Sequence, residues 1–404
     1  MTGRDVPRVV VVGANGHGRW HRRAIAPLHA AGRVTLAALV DVRPVEADPA
    51  APVPEGAALF TDHREMLRAL RPDVVVVCTP PHTHLPIALD ALAAGADLLL
   101  EKPPVLSTAE HRELAAALVD TGRACQVGFQ ALGSAALAEL AGAVAAGRLG
   151  PLTRIATVAA WQRSDGYYAR APWAGRRSLH GRPVLDGVLA NPLAHAVMQC
   201  LAVAAVAAGG PVEPELVELE RYRVRPIEVD DTAVLRMTPR AGPPVVAAVT
   251  LAGEEFIPGE VIVTGPAGRA VLEYPTDRLA LPGDVVARSV PGRRGLLENL
   301  LDHRADPGRV PLIAPLTRTA PFTALLDVIR SAPDPALLTA DRVSAGGAGL
   351  DRVLTIRGVN EVLRHAAERG ELPSEFGVPW AAEPHRVRLS DAVEPQTRAN
   401  DLVR

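Results

Sequence analysis

The stretch Arg8-Val9-Val10-Val11-Val12-Gly13-Ala14-Asn15-Gly16-His17-Gly18 decides the first part of the fold. A short unbroken apolar run is followed by a glycine-rich turn. Trp20, Ala24, Ile25 and Leu28 then fall on one helical face, and Gly32 closes the helix. Strand, glycine turn and helix in that order present backbone N–H groups and a helix N-terminus to a pyrophosphate. A second strand, Val34 to Val40, ends in Asp41, where a carboxylate can accept hydrogen bonds from an adenosine ribose. The turn departs from the usual Gly-x-Gly-x-x-Gly pattern, because Asn15 stands at its middle glycine. Asp41 also lies further along than the usual ~20 residues after the turn.

The α/β pattern continues beyond that turn. Met66, Leu67 and Leu70 read as a helix, Asp73 to Cys78 as a buried strand, Ile87 to Ala94 as a helix and Asp97 to Leu100 as a strand. Ser107 with Glu110 forms a capping box for a helix through Leu114 and Leu118, ahead of a strand from Ala124 to Phe129. Strands that are continuous Val/Leu runs belong in a parallel sheet covered on both faces. Ligands of such sheets sit beyond the carboxyl ends of the strands. Those ends are Gly13, Asp41, Thr79-Pro80, Glu101-Lys102 and Gly128-Phe129-Gln130.

Lys102 is notable for a second reason. The 404 residues carry 43 basic side chains, and Lys102 is the one lysine among them. No glycine precedes it, so a phosphate-gripping Gly-Lys-Ser/Thr loop is excluded, and any amine chemistry must use this residue. Arginine cannot replace a lysine that has to lose a proton. Compositional drift toward arginine is the alternative account of a single lysine, and it would leave that lysine anywhere.

The bulk properties set limits. A chain with 48% hydrophobic and 22% charged residues is globular in composition and long enough for two or three domains. A net charge of -2 gives no electrostatic reason to expect nucleic acid or an anionic membrane. The apolar stretch Ala196 to Ala208, interrupted by Gln199, is shorter than the roughly 20 residues that span a bilayer. The N-terminus has no signal-peptide pattern, so a cytoplasmic location is expected. Cys78, Cys125 and Cys200 are odd in number and embedded in apolar runs, which fits reduced core residues.

These motifs together resemble the glucose-fructose oxidoreductase, inositol dehydrogenase and rhizopine-catabolism family, written Gfo/Idh/MocA. The resemblance rests on the glycine turn, on Cys78-Thr79-Pro80-Pro81-His82-Thr83-His84, on Glu101-Lys102-Pro103 and on Val127-Gly128-Phe129. It implies an α/β fold in which a Rossmann dinucleotide-binding domain, residues 1–130, precedes an α/β domain with a large open, mostly antiparallel sheet, residues 131–380. That second domain would serve substrate binding and oligomerisation. Residues 381–404, where apolar periodicity fades, read as a tail or subunit arm. The resemblance further implies NAD or NADP, a sugar or cyclitol substrate, and assembly as homodimers or homotetramers.

The same resemblance puts Lys102 near the nicotinamide and the substrate hydroxyl as acid/base, with Glu101 holding the ammonium or contacting the ribose. A cis or tight-turn Lys102-Pro103 link is also expected from it. The cofactor rim would comprise Gly13, Asn15, Gly16, His17, Gly18, Asp41, Arg43, Thr79, Pro80, His84, Glu101, Lys102 and Gln130, the last reaching the nicotinamide carboxamide or the substrate. Asp41 favours the free ribose hydroxyls of NAD, whereas Arg43 suits a 2′-phosphate, and NAD is modestly favoured. The rest of the family signature is Asn191-Pro192-Leu193-Ala194-His195, whose i to i+4 spacing puts Asn191 and His195 on one helical face as catalytic partners. A plain N-cap role for Asn191 is the alternative. Met198 stands where many relatives carry aspartate.

Between a strand from Leu152 to Trp161 and that helix, Tyr167, Tyr168 and Trp173 cluster with Arg163, Arg170, Arg176 and Arg177. Aromatic faces with polar arms bind sugar rings, so this loop is a candidate substrate lid, represented by Tyr168 and Trp173. A subunit contact is the alternative. Asp186 is a further candidate carboxylate for substrate, or a turn residue. Downstream, Leu216 to Arg225, Thr232 to Thr238, Val245 to Leu251, Glu260 to Thr264 and Arg269 to Tyr274 read as strands, and Leu296 to Leu301, Phe322 to Ile329 and Leu354 to Ala367 as helices.

Rival chemistries find less support. His17 with His21, and His82 with His84, lack a zinc-type pattern, so no metal is expected. The Gly-x-Ser-x-Gly turn of a hydrolase is missing. Two alternatives to an NAD(P)-dependent sugar or cyclitol oxidoreductase stay open: a redox-neutral lyase or glycosidase using the same scaffold, and a nucleotide-binding accessory protein without turnover.

Overall fold

The computed structural model describes residues 6–389. Its first part runs β1 (Arg8–Val12), α1 (Gly18–Ala30), β2 (Thr35–Val40), β3 (Ala58–Phe60), α2 (His63–Leu70), β4 (Val74–Val77), α3 (His84–Ala93), β5 (Asp97–Leu100), α4 (Thr108–Thr121) and β6 (Cys125–Val127). The six strands form one parallel sheet in the order β3-β2-β1-β4-β5-β6. Strand β1 explains the unbroken valine run. Val9 and Val11 pack with Ile25 and Leu28 of α1, while Val10 and Val12 join the core that holds Met66, Ile87 and Leu114 on the opposite side. Both faces of the strand are therefore dry, and an alternating pattern would place polar groups in one core or the other. The expected capping box is half realised as drawn: the Ser107 hydroxyl accepts from the Glu110 main chain, but the Glu110 carboxylate reaches the Leu106 N–H.

The second part contains α5 (Ala135–Ala145), β7 (Arg154–Gln162), the single turn α6 (Asp165–Tyr168), the small hairpin β8 (Ser178–Leu179) and β9 (Arg182–Pro183), then α7 (Ala194–Ala208). Next come β10 (Pro214–Arg223), β11 (Thr232–Pro239), β12 (Val245–Thr250), β13 (Ala252–Gly265), β14 (Gly268–Glu273), β15 (Arg278–Ala280) and β16 (Arg288–Ser289). The described residues continue through α8 (Leu296–Ala305), α9 (Ala320–Ser331), β17 (Ala336–Leu337), β18 (Val343–Gly346), β19 (Val353–Ile356), α10 (Val359–Arg369) and β20 (His385–Arg388). Its large sheet has ten strands, β16-β15-β14-β13-β7-β12-β11-β10-β17 with β20 also on β10. Pairing is antiparallel except at β12–β7 and β10–β17.

The sheet is unclosed but covered on both faces. Ile155, Leu235 and Val249 pack toward Val197, Leu201 and Leu325, while Val158, Val234 and Val246 pack toward Val359, Leu363 and Ala366 of α10. The helix read from Leu354 to Ala367 begins instead as a strand, because β-branched Val353, Thr355 and Ile356 pair with β18; Gly358, at φ 74°, turns the chain into α10. The region read as a tail from residue 381 contains β20, whose residues Arg386 and Arg388 pair with Glu218 and Glu215 of β10; residues 390–404 lie outside the described residues.

Late segments return to the first sheet. Leu296, Leu297, Leu300 and Leu301 of α8 pack with Val9, Val11 and Leu99. Gln126 of β6 donates to Asn299 at 2.6 Å and accepts from Ala314 N at 2.8 Å, so residues near 313–315 lie along the edge of β6. No helix among the described residues is long and apolar enough to cross a membrane.

Candidate active site

The carboxyl ends of the parallel strands open into a cavity of about 890 Å³. A larger open groove, about 1100 Å³, lies at the amino ends of the same strands beside Asp73 and Asp97, whose carboxylates are taken by Arg304. It holds none of the residues expected to do chemistry. The carboxyl-end cavity is lined by Gly13, Asn15, Gly16, His17, Asp41, Arg43, Thr79, Pro80, Glu101, Lys102 and Gln130 on one side and by Trp173, Asp186, Asn191 and His195 on the other. Two domains of the chain thus supply opposite walls.

The glycine turn fits a dinucleotide. A Cβ on Gly13 would lie 2.4 Å from the Cys78 carbonyl oxygen, and one on Gly18 would lie 1.9 Å from that of Gly13, so both positions need a bare backbone. Gly18 is not in the cavity lining; it sits where α1 packs on the turn. Gly16, at φ 55°, has open space where its Cβ would point, and the first turn of α1 has no side-chain cap. Such a turn admits a close oxyanion. Asn15 explains how the missing middle glycine is accommodated. Its side chain turns away to Pro44 O at 3.1 Å and accepts from Glu46 N at 2.8 Å, while its main-chain N–H donates to Asp41 Oδ2 at 3.0 Å. The other Asp41 oxygen accepts from Arg43 N at 3.0 Å, which holds the carboxylate at the end of β2.

Glu101 is buried and does not hold the Lys102 ammonium. Its Oε1 accepts from His21 Nε2 at 2.8 Å and Gln130 Nε2 at 2.9 Å, and its Oε2 from the Lys102 main-chain N at 3.1 Å. Burial pushes the carboxyl upward, but hydrogen bonds and charge from His17 and His21 outweigh it and hold it well below the usual carboxylate range. His84 is a framework residue outside the cavity lining: its ring nitrogens lie 2.9 Å from Pro103 O and 2.8 Å from Thr79 O, tying two rim loops together. The Lys102-Pro103 peptide is cis.

The Lys102 ammonium is held from the facing domain. It donates to Asn191 O at 3.0 Å and to Asn191 Oδ1, and Asn191 Nδ2 in turn donates to Asp186 Oδ1 at 2.7 Å. Asp186 is buried and also accepts from Arg170 Nη2, at 3.1 and 2.9 Å, and from Gly175 N at 2.9 Å. This fixes the orientation of the Asn191 amide: its NH₂ must face Asp186, so its oxygen faces the amine. Burial lowers the Lys102 pKa, opposed by the charges of Glu101 and Asp186. Leu185, next to Asp186, has φ 52°, strained backbone for a branched side chain at the cavity wall.

Asn191 precedes α7, whose N-cap is Leu193, so it is not the cap residue. His195, on the first turn of α7, stacks on Tyr274 at 6.0 Å and meets Phe129 edge-on at 5.8 Å. Its Nδ1 is buried without a hydrogen-bond partner among the described residues. Desolvation, then the Lys102 charge, push its pKa down to about 3, so the imidazole is neutral at ordinary pH.

The aromatic loop is divided by the fold. Tyr168 is not in the cavity lining; its ring lies under Arg225 at 5.1 Å, an anchoring contact. Tyr167 lines the cavity instead, with Arg170 stacked 3.7 Å from its centroid and 4.6 Å from that of Trp173. Sequence reasoning missed Trp161 and Tyr274, which complete the wall and stack on each other at 6.5 Å. Each sits on a strand or strand end with no motif around it. His17, His21 and Glu101 lie close enough together to hold a metal ion, with His21 Nε2 2.8 Å and His17 Nε2 3.7 Å from Glu101 Oε1.

Residues 7–129 match the model of the GFO_IDH_MocA family, described as an oxidoreductase family with an NAD-binding Rossmann fold. A D-glucoside 3-dehydrogenase of Escherichia coli is 38% identical over 79 residues, 20% of this chain and 22% of that protein. An inositol 2-dehydrogenase of Rubrobacter xylanophilus is 37% identical over 124 residues, 30% of this chain and 34% of that protein. The matched stretches therefore span well under half the length of these relatives. The WlbA dehydrogenase of Bordetella pertussis, solved with NADH and UDP-GlcNAcA, shares the fold with a TM-score of 0.65 at 22% identity, covering 83% of this chain and all of that one.

Proposed function

We propose that this chain, whose residues 7–129 belong to the Gfo/Idh/MocA oxidoreductase family, is an NAD(P)-dependent dehydrogenase or reductase. Its substrate would be a secondary hydroxyl or the matching ketone of a sugar, cyclitol or derivative. The observation that carries this reading is the Lys102 amine, held by Asn191 inside a cavity whose other end is a dinucleotide-type glycine turn. The names of the curated relatives, glucoside and inositol dehydrogenases, support the substrate class.

The nicotinamide would supply the hydride acceptor or donor. Gly13, Gly16 and the start of α1 would take the pyrophosphate, and Asp41 the ribose hydroxyls, which favours NAD over NADP. Lys102 would take the hydroxyl proton as the neutral amine in oxidation, and return it as the ammonium in reduction. Its lowered pKa serves the first task, and the two Asn191 acceptors serve the second. His195 remains neutral and positions a substrate hydroxyl rather than acting as an acid. Asp186 acts through Asn191.

A screen of sugars and cyclitols with NAD and with NADP, following the absorbance of the reduced nicotinamide, tests the reading. Cofactor reduction supports it. Product formation without net reduction favours the redox-neutral alternative, and failure of both dinucleotides to quench the protein's tryptophan fluorescence rules the reading out.

A further inference from the structure

Resting on that reading, we propose that the substrate carries an anionic group, a carboxylate or a phosphoryl, and that Arg163 binds it. Five other arginines in this region end on carboxylates: Arg170 on Asp186, Arg176 on Glu228, Arg177 on Asp334, Arg225 on Asp165 and Arg293 on Asp277. Arg163 has no acidic partner among the described residues. Its Nη1 reaches the carbonyl of Gln162 at 2.9 Å, and its guanidinium lies 4.9 Å from the centroid of Trp161 and 5.2 Å from that of Tyr167. All three side chains line the cavity.

This arrangement has the parts of an anion site. The two ring faces hold the guanidinium by cation–π attraction and shield part of it from water, leaving N–H groups of a planar fork for a planar or tetrahedral oxyanion. The charge at this end of the cavity is also unbalanced. Lys102, Arg163 and Arg170 face two carboxylates, Glu101 and Asp186, the second already engaged by Arg170. Glu101 is occupied by His21 and Gln130. A substrate with one negative charge would correct the imbalance where a neutral sugar would not. Arg163 is joined to the reacting end by a continuous row of rings, from Trp161 to Tyr274 to His195. A sugar ring lying along that row would present one end to Lys102 and the other to Arg163.

The test uses the full chain saturated with NADH and follows quenching of its tryptophans, two of which, Trp161 and Trp173, line the cavity. The probes are glucose and galactose, their uronates, and their 6-phosphates. At least one acidic probe is expected to bind about tenfold or more tighter than its neutral parent, with the advantage shrinking as salt rises. The uronate and phosphate arms tell which anion is preferred. Arg163→Met should reduce that advantage by about ten- to a hundredfold, as expected on losing a charge-assisted hydrogen bond, and Arg163→Lys should keep part of it. An unchanged melting temperature and NADH affinity show that the variants fold. Equal or weaker binding of every acid, or an acid preference that survives in Arg163→Met, overturns the inference while leaving the dehydrogenase reading intact. No NADH binding at all removes both.

Discussion

Replacing Asn191 by leucine isolates the contact that holds the candidate acid/base. The two side chains have the same heavy-atom branching, and the Asn191 main-chain carbonyl, which accepts from Lys102 at 3.0 Å, is retained, so the ammonium is not orphaned. Asp186 keeps Arg170 and Gly175 N. What is lost is the amide's donation to Asp186 and one hydrogen bond to a charged amine; the second, which bears on the amine, is worth about 1.5–3 kcal/mol, or roughly ten- to a hundredfold in the protonation equilibrium. The contact favours the charged form, so its removal adds to the effect of burial and lowers the Lys102 pKa further. In oxidation the neutral amine is required, and the acid limb of kcat/KM should move toward lower pH by that ten- to hundredfold in proton concentration. In reduction the ammonium is required, and the alkaline limb should move in the same direction. Asn191→Asp should move both limbs toward higher pH, since a carboxylate beside the amine favours the ammonium. The assay is a pair of pH profiles, forward and reverse, for wild type and both variants. Limbs that stay in place, with the loss confined to KM, would mean that Asn191 only contacts substrate and that another group titrates.

Lys102→Met should reduce turnover by about 10²- to 10⁴-fold, the range for a general acid/base, with little change in cofactor affinity. Turnover at the wild-type level would refute its role. Because the chain has one lysine, an amine-directed reagent can modify only Lys102 and the α-amino group. NADH should protect Lys102, and mass spectrometry showing equal labelling with and without NADH would count against the site. His195 stays neutral in the fold down to about pH 3, whereas an unfolded histidine protonates near 6.5. Between those values the unfolded chain binds the extra proton, so stability falls as pH drops through the window. His195→Leu should flatten the acid side of a melting-temperature profile there; parallel profiles would show that the buried imidazole is not the cause.

Sequence and structure divide the molecule unevenly. The parallel sheet was readable because Val9 to Val12 and Val74 to Val77 are apolar on both faces, a local property of each strand. Lys102 was readable because strand ends carry ligands in such sheets and because no other lysine competes with it. The aromatic loop was readable as a cluster but not in its orientation. Tyr167 and Tyr168 are adjacent, and only the turn of α6 decides that the first faces the cavity and the second packs under Arg225. Trp161 and Tyr274 carried no local signal, since β7 and the end of β14 become cavity wall only through the assembly of the large sheet.

By itself, then, the chain's order of apolar runs, glycines and strand-end residues determines a dinucleotide-type sheet with Lys102 on its ligand rim, because those features depend on backbone geometry within a few residues. What surrounds that amine is decided by tertiary structure alone. Asn191 is 89 residues from Lys102, and Arg170 and Asp186 are 16 residues apart in a loop with no regular period. Their charges and hydrogen bonds act over ångströms in space, and the folded sheet is what brings them within that range.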